Sequence, residues 1–572
     1  MDISIRIGGA AGQGVQSISS IIARTFVRHD FYVFIHQDFA SRIRGGHNFD
    51  QVRISSKPVR APADKVQILI ALDEETTSQD ADCLAGDGFL LFDGDAIGFT
   101  SDDPNHLSIP LAQIASDAGK SKIMINSVAT GATIALMGFE LQPVLDCIQE
   151  QFAQKGSETI EKNQKSAAAG YDFVRQKLKT GPPFTVPSSK AVRRKMLLTG
   201  SQAMALGAMT SGLKFYSGYP MSPATTIMEF VATQADKYNI VLEQAEDEIA
   251  AVNMVIGASF AGVRAMTATS GGGFCLMVEA LSLAGMTETP VVIVVAQRPG
   301  PSTGLPTRTE QADLNLVMHA GHGDFPRAIL APGYPEQAMQ LMSKAFNLAD
   351  KYQTPVIILG DQHFGDTYFT VDELDFRNIT IDRGQILTNE DLPSPSDYRR
   401  YASSKSGISP RILPGQTRAV LYADSDEHTE EGHITESGAV RNQMMHKRMQ
   451  KLEGLRREIG APEIYPDGQA DIVLLGWGST HGAIKEAVDS LNREGVAARM
   501  IHYSELFPFN AGHVPIEELK KSKIIAVENN YTGQFADLFS QNTGISVDQR
   551  ILRYDGRPFT PRDISDQIKA NK

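Results

Sequence analysis

Cysteine is scarce in this chain: Cys83, Cys147 and Cys275 are the only three among 572 residues, far apart and without a C-x-x-C or a Cys/His pairing at zinc spacing. A four-iron cluster needs four thiolates, so the chain cannot hold one alone, and any iron–sulfur chemistry must belong to another subunit. Uncharged apolar runs of 18 residues are also missing. The opening MDISIRIGG lacks a basic flank followed by an apolar segment, so a cytoplasmic location is expected. Positive charge is in deficit, with a net charge of −13 and a pI near 5.5. That balance argues against nucleic acid as a partner and leaves room only for a local basic pocket.

What is present is ordinary for a soluble globular protein, with 42% hydrophobic and 21% charged residues. The length calls for about three or four domains. A strand-like run at residues 3–7 leads through the glycine turn GGAAGQG (8–14) into a helical pattern reaching about Arg28. Strands are expected at FYVFIH, VQILIAL and GFLLFDGDA, and helices near 128–137 and 140–178. TGPPFTVPSSK (180–190), with three prolines, reads as a linker. A second α/β unit opens at KMLLTG (195–200) and continues with VRAMTATS, PVVIVVAQ, RAILAP and PVIILGD, with helices between them. Strand, helix, strand in repetition implies a parallel sheet covered on both faces. A polar, irregular stretch ends in a helix over 439–458, and a last α/β unit starts at DIVLLGWGST (471–480). The expected organisation is α/β throughout: domains over 1–180, 193–385 and 467–572, a linker at 181–192 and an irregular connection at 386–466.

The glycine turn fails the dinucleotide fingerprint, because Gly9, Gly12 and Gly14 are misspaced and Asp38 comes too late. A glycine turn feeding a helix can still accept a phosphate through its N–H groups, with Arg42, Arg44 and His47 as counter-charges. Tight strand-to-helix packing with solvated arginines is the competing reading.

Two further stretches carry more chemistry. In GYPMSPATT (218–226) the prolines at 220 and 223 stiffen a strand-to-helix loop that can hold Tyr219, Ser222 and Thr225 toward a ligand. In EDEIAAVNMVIGASFAGVRAMTATSGGGF (246–274), Glu248 begins a helix whose first turns carry Ile249, Ala251, Val252, Val255 and Ile256. A carboxylate there is awkward to bury alone and is tolerated where a ligand offers a hydrogen-bond donor. The plainer alternative is an acid complementing a helix dipole.

The spacing of Glu248 before AGVRAMTATSGGGF resembles the pyrimidine-binding domain of thiamine diphosphate enzymes. With GYPMSPATT before it and QRPGPSTGLPTRTEQADL (297–314) after it, the chain resembles the fused γα subunit of 2-oxoacid:ferredoxin oxidoreductases. GGAAGQG and RIRGGH suit the γ domain, a Rossmann-like unit. GWGST (476–480) and VENNYTGQ (527–534) suit a transketolase-C-terminal-like domain. Met221, Ser222 and Ala224 depart from the family loop Y-P-I-T-P-S-T, and Gly272 stands where the family turn T-S-G-P-G-F has proline.

The resemblance implies that Glu248 hydrogen-bonds N1′ of the thiamine aminopyrimidine, so that N4′ can accept a proton. Arg298 would clamp the substrate carboxylate bidentately, with Arg308 as its rival and Tyr219, Ser222 and Thr303 adding neutral hydrogen bonds. Gly9, Gly12, Gly14, Arg42 and Arg44 become candidate contacts for the phosphates of coenzyme A. The expected activity is oxidative decarboxylation of a 2-oxoacid, 2-oxoglutarate first, with pyruvate, branched-chain or broad specificity and a non-redox thiamine enzyme as alternatives. No metal site is expected here: GDG occurs only at 86–88, without a suitably spaced Asn. A separate β subunit would bring Mg²⁺, the diphosphate site and a [4Fe-4S] cluster in an (αβ)₂ assembly, with ferredoxin taking the electrons. His322 reads as a turn residue, Cys275 as a small buried hydrophobe, and Asp426, Glu427 and His428 as a solvated loop.

Overall fold

In the computed structural model, which describes residues 1–41, 45–178, 181–187, 195–374, 376, 379–392 and 394–570, the first strand runs Asp2–Ala11. It alternates inward Ile3, Ile5 and Ile7 and lies between Gly45–Ser55, antiparallel, and Val66–Ala71, parallel. The full sheet has eight strands, in the order His106–Ser108, Leu84–Phe92, Val66–Ala71, Asp2–Ala11, Gly45–Ser55, Tyr32–Asp38, Tyr368–Asp372 and Lys195–Thr199. Helix Val15–Arg28 buries Val15, Ile18, Ile22 and Phe26 against it, the spacing of a one-faced helix.

The chain divides into two units: the first comprises Met1–Leu198, Thr367–Leu374 and Thr560–Arg562, and the second the remainder. Two strands therefore fall otherwise than the sequence division implies. KMLLT and Tyr368–Asp372 complete the first sheet although both lie beyond the proline-rich linker. Of that linker, residues 181–187 are described, and backbone bonds from Phe184 and Val186 to Leu136 and Met137 hold them to the first unit's core.

The second unit holds two sheets. Its seven-stranded sheet runs Glu505–Phe507, Ala328–Leu330, Pro355–Asp361, Val291–Gln297, Ala265–Thr269, Phe215–Gly218 and Val241–Gln244, parallel except for its first member. The inner strands Val291–Gln297 and Pro355–Asp361 are buried along their whole length, as parallel strands covered by helices on both faces must be. The five-stranded sheet, Glu463–Tyr465, Ala498–Tyr503, Ile472–Trp477, Lys523–Glu528 and Gln549–Leu552, is parallel except for its first member.

The irregular stretch before helix Gly438–Glu458 has few apolar residues to bury, and charge clusters tie it down. Asp350 accepts from Arg264 Nε at 2.9 Å, Arg383 Nε at 2.9 Å and Arg411 Nη2 at 2.6 Å. The helix itself is held by Glu288, wholly buried, which pairs with Lys447 Nζ at 2.6 Å and with Lys451. Burial alone would raise Glu288, yet the two ammoniums hold it far below the usual carboxylate range. Removing that carboxylate leaves two buried cations without their counter-charge. Glu288→Ala should therefore lose about 3–5 kcal/mol in denaturant unfolding of the chain, and a loss below about 1 kcal/mol would contradict this account.

Candidate active site

Four parallel strands end side by side in the seven-stranded sheet, and each turns into a segment singled out above. Phe215–Gly218 leads into YPMSPATT, Val241–Gln244 into Glu248, Ala265–Thr269 into SGGGF, and Val291–Gln297 into Arg298. The carboxyl ends of parallel strands form the crevice in which open α/β sheets bind ligands.

Asp247 caps helix Glu248–Phe260 by accepting from Ala250 N at 2.7 Å, which makes Glu248 the first helical residue and turns its side chain inward. Glu248 is only 2% exposed, and its Oε1 is buried with no hydrogen-bond partner. Ala251, Val252, Val255 and Ile256 are buried beside it, whereas Ile249 stands on the outer face, exposed.

The glycines of TSGGGF have distinct duties. A Cβ on Gly273 would lie 2.5 Å from Glu248 Oε1 and 2.1 Å from Thr269 Oγ1, so this backbone is pressed against the acid. A Cβ on Gly271 would come within 2.4 Å of Asp313 Oδ2, while Gly272 has only the Ser302 carbonyl, at 3.9 Å. Ser270 Oγ donates to Met221 Sδ at 2.7 Å and Thr269 Oγ1 approaches the same sulfur at 3.9 Å, tying the stiff loop to the glycine turn.

Arg298 Nη1 donates to the carbonyl of Ser222 at 2.6 Å, while its Nε is buried without a partner. Burial lowers this guanidinium's pKa and the charge of Asp313 acts against that. Ser222 thus contributes its backbone to the arginine, its side chain being exposed; Tyr219 and Thr303 are exposed as well. Arg308 is half-buried, with its Cβ and Cγ against Gly556.

Sequence reasoning did not single out Met221, Thr269, Glu310 or Asp313 as members of this site. The two acids stand in TEQADL, where nothing but their position in the quoted motif could have marked them. Burial pushes the Asp313 carboxyl up to about 6 against the pull of Arg298. Burial, with Asp313 adding to it, pushes Glu310 up to about 7. The same loop is clasped by the last sheet: Gln311 Nε2 donates to the Trp477 carbonyl at 2.9 Å, and Asn530 Nδ2 to the Gln311 carbonyl at 3.1 Å. Beneath that clasp, Glu528 accepts from Trp477 Nε1 and from the N–H groups of Phe535 and Ala536. GWGST and VENNYTGQ therefore brace the loop that follows Arg298.

Other expectations resolve individually. In the first unit Gly12 and Gly14 take positive φ, 95° and 83°, and Gly9 lies within the strand. A Cβ on Gly14 would meet Asn126 Nδ2 at 1.8 Å, which accounts for that glycine by packing. His47 pairs with buried Asp80 at 2.9 Å, and Arg42 and Arg44 lie outside the described residues. Cys275, expected to be buried, is exposed, because the buried face of helix Gly271–Met286 runs through Phe274 and Met277. His322 N donates to Ser282 Oγ in a turn. Asp426 is exposed, as expected of a solvated loop, but Glu427 pairs with Arg441 and Arg448 and His428 is buried against Tyr401. No group of three or more His, Cys, Asp or Glu able to hold a metal occurs among the described residues. GDG at 86–88 lies inside strand Leu84–Phe92.

Comparison with known proteins bears on the family and the fold. A family model described as pyruvate flavodoxin/ferredoxin oxidoreductase, thiamine diphosphate-binding, matches residues 206–447, and one described as pyruvate ferredoxin/flavodoxin oxidoreductase matches residues 4–173. The 2-oxoacid:ferredoxin oxidoreductase subunit alpha of a Sulfolobus species is 34% identical over 99% of this chain and 96% of its own length. The chain belongs to the 2-oxoacid:ferredoxin oxidoreductase alpha-subunit family. Within that family, the 2-oxoglutarate oxidoreductase subunit KorA of Mycobacterium tuberculosis is 30% identical over 78% of this chain and 68% of its own length. The solved 2-oxoglutarate:ferredoxin oxidoreductase of Magnetococcus marinus, with 2-oxoglutarate, coenzyme A and succinyl-CoA bound, superimposes with a TM-score of 0.92 at 32% identity, covering 100% of this chain and 99% of that one.

The contact between Gly273 and Glu248 is directly testable in the isolated chain. Gly273→Ala should destabilise it by about 1–3 kcal/mol through overpacking. Gly272→Ala, with open space before it, should stay within about 0.5 kcal/mol of the parent. Equal thermal midpoints for the two variants would show that the glycine does not press on the acid.

Proposed function

We propose that this alpha subunit carries the pyrimidine half of a thiamine diphosphate site and binds the 2-oxoacid, with 2-oxoglutarate as first substrate. The products would be an acyl-CoA, carbon dioxide and electrons passed to ferredoxin. The observation that carries this reading is the buried, unpartnered Oε1 of Glu248 at the strand-end crevice. A buried carboxylate oxygen lacking a donor costs about 1–3 kcal/mol, and an aminopyrimidine ring nitrogen sharing a proton with it removes that cost. The residues present fit the group: Glu248 is buried with Oε1 lacking a donor, and only the absence of a side chain at Gly273 leaves room beside that oxygen. When bound, thiamine diphosphate supplies the electron sink for decarboxylation.

The chain's own residues divide the remaining work. Glu248 holds or shares a proton at Oε1. Arg298, fixed at Nη1 by the Ser222 carbonyl, offers its other N–H groups to the substrate carboxylate. Tyr219, Ser222 and Thr303, all exposed, would add hydroxyls for neutral hydrogen bonds to the substrate. Ile249 and Met254 on the helix that Glu248 begins, and Leu276 on helix Gly271–Met286, are large apolar side chains left exposed, and a β subunit bringing the diphosphate, Mg²⁺ and [4Fe-4S] half in an (αβ)₂ assembly is proposed to cover them. Gly9, Gly12, Gly14, Arg42 and Arg44 stay proposed as coenzyme A contacts, and a cytoplasmic location stays proposed. No described helix is long and apolar enough to cross a membrane.

A second reading, broad 2-oxoacid specificity, draws on the higher identity to the Sulfolobus subunit, 34% against 30% for KorA. In the complex with its β subunit, Glu248→Gln should lower 2-oxoacid-dependent viologen reduction by about 10²–10⁴-fold. Unimpaired reduction would remove the reading. Arg298→Lys keeps the charge and loses the fork, so KM for 2-oxoglutarate should rise roughly ten- to hundredfold. Comparing kcat/KM for 2-oxoglutarate, pyruvate and branched-chain 2-oxoacids separates the two specificities.

A further inference from the structure

The loop that follows Arg298 returns an acid to the same place. Asp313 is held there by three contacts: its N–H donates to Gln297 Oε1 at 3.0 Å, its carboxylate lies flush against Gly271, and its carbonyl accepts from Val317 N at 3.0 Å. Gln297 is itself wholly buried and fixed by a bond from its Nε2 to the Gly360 carbonyl at 3.1 Å. Asp313 Oδ2 and Arg298 Nε are nevertheless both buried and without a hydrogen-bond partner. Two opposite charges thus influence one another in a confined space without joining. A built structural salt bridge would close that gap, since a buried pair gains only when its geometry is good.

The Arg298 guanidinium is also the group assigned above to the substrate carboxylate, so this inference rests on that reading. An anion arriving at Arg298 brings a second negative charge close to Asp313, and like charges in a partly desolvated site do not both persist. We propose that Asp313 is the resting counter-charge of Arg298 and that a 2-oxoacid carboxylate takes over this role, one proton passing from solvent to the Asp313 carboxylate as the substrate binds. Asp313 is in this account a positioning residue that sets the charge of the site.

The groups facing Asp313 agree with such a proton balance. Arg298 approaches from the strand end, Glu310 from the same loop, and Cys275 from helix Gly271–Met286, where desolvation and then the Asp313 charge raise the thiol. Glu248 stands against Gly273 on that same helix. Only Arg298 among them is a cation. Burial already brings Asp313 up to about 6, so a further anion need shift it only modestly to keep it protonated near neutral pH. The sign follows: above about pH 6 the free site has lost this proton and the occupied site retains it. Affinity for the substrate therefore falls as pH rises, by up to tenfold per pH unit, until the pKa of the occupied site is passed.

The test is kcat/KM for 2-oxoglutarate with viologen as acceptor, measured on the complex with its β subunit from pH 5.5 to 8.5. The wild type should show a decline above about pH 6 carried mainly by KM. Asp313→Asn should flatten that decline and raise kcat/KM at pH 8 severalfold, while Glu310→Gln should retain it. A flat wild-type profile overturns the inference whatever the variants do. A decline of wild-type slope in Asp313→Asn, or an equal loss of kcat in that variant at every pH, overturns it too. Absence of any 2-oxoacid-dependent reduction by the wild-type complex overturns the functional reading along with it, whereas turnover with the wrong pH dependence sinks the inference alone.

Discussion

A carboxylate oxygen buried without a partner is the constraint around which the second unit is arranged. Left free to move, Glu248 would turn toward water, because desolvating a charged group costs several kcal/mol. Instead the Asp247 cap starts the helix at Glu248, and the unsubstituted Gly273 backbone leaves space for its carboxylate inside. The acid therefore stays buried in the chain with no donor at Oε1, which the proposed aminopyrimidine contact would supply. Such local strain against the rest of the fold is characteristic of functional sites.

The same logic explains why so much of the chain serves to brace. The loop after Arg298 has no regular structure until Leu314, so its shape comes from elsewhere: Gln297 below it, the Trp477 carbonyl and Asn530 beside it, and Gln534, whose Oε1 accepts from Asn315 N at 2.9 Å. The irregular stretch before helix Gly438–Glu458 is fastened by Asp350, which meets Arg383 and Arg411 from it, while Glu288 holds the helix itself through Lys447 and Lys451. Buried ion clusters contribute little net stability compared with apolar packing, but they specify one arrangement where a polar segment has little apolar surface with which to do so.

The acid in the middle sheet and the arginine after its strand were legible because local patterns carry them: a helix start, a buried apolar strand, prolines at fixed intervals. The family resemblance then supplied the roles proposed for them. Cys275 was misjudged because its helix has a weakly amphipathic sequence, apolar on nearly every side, and only the packing of Phe274 and Met277 decides which face is inside. His428 was misjudged for the converse reason, since a charged neighbourhood in sequence became a buried ion cluster in space.

By itself the sequence determined the α/β class and placed Glu248 at a helix start and Arg298 after a buried strand, since periodicity and motif spacing are properties of neighbours along the chain. Tertiary structure alone decided that Lys195–Thr199 and Tyr368–Asp372 complete the first sheet, that Gly273 rather than Gly272 presses on the acid, and that Asp313 returns to Arg298. Each is a contact between residues whose local sequences carry no mark of one another. Strand edges, backbone approaches and electrostatic neighbours across a crevice are set by the folding of the whole unit, so no window of sequence contains them.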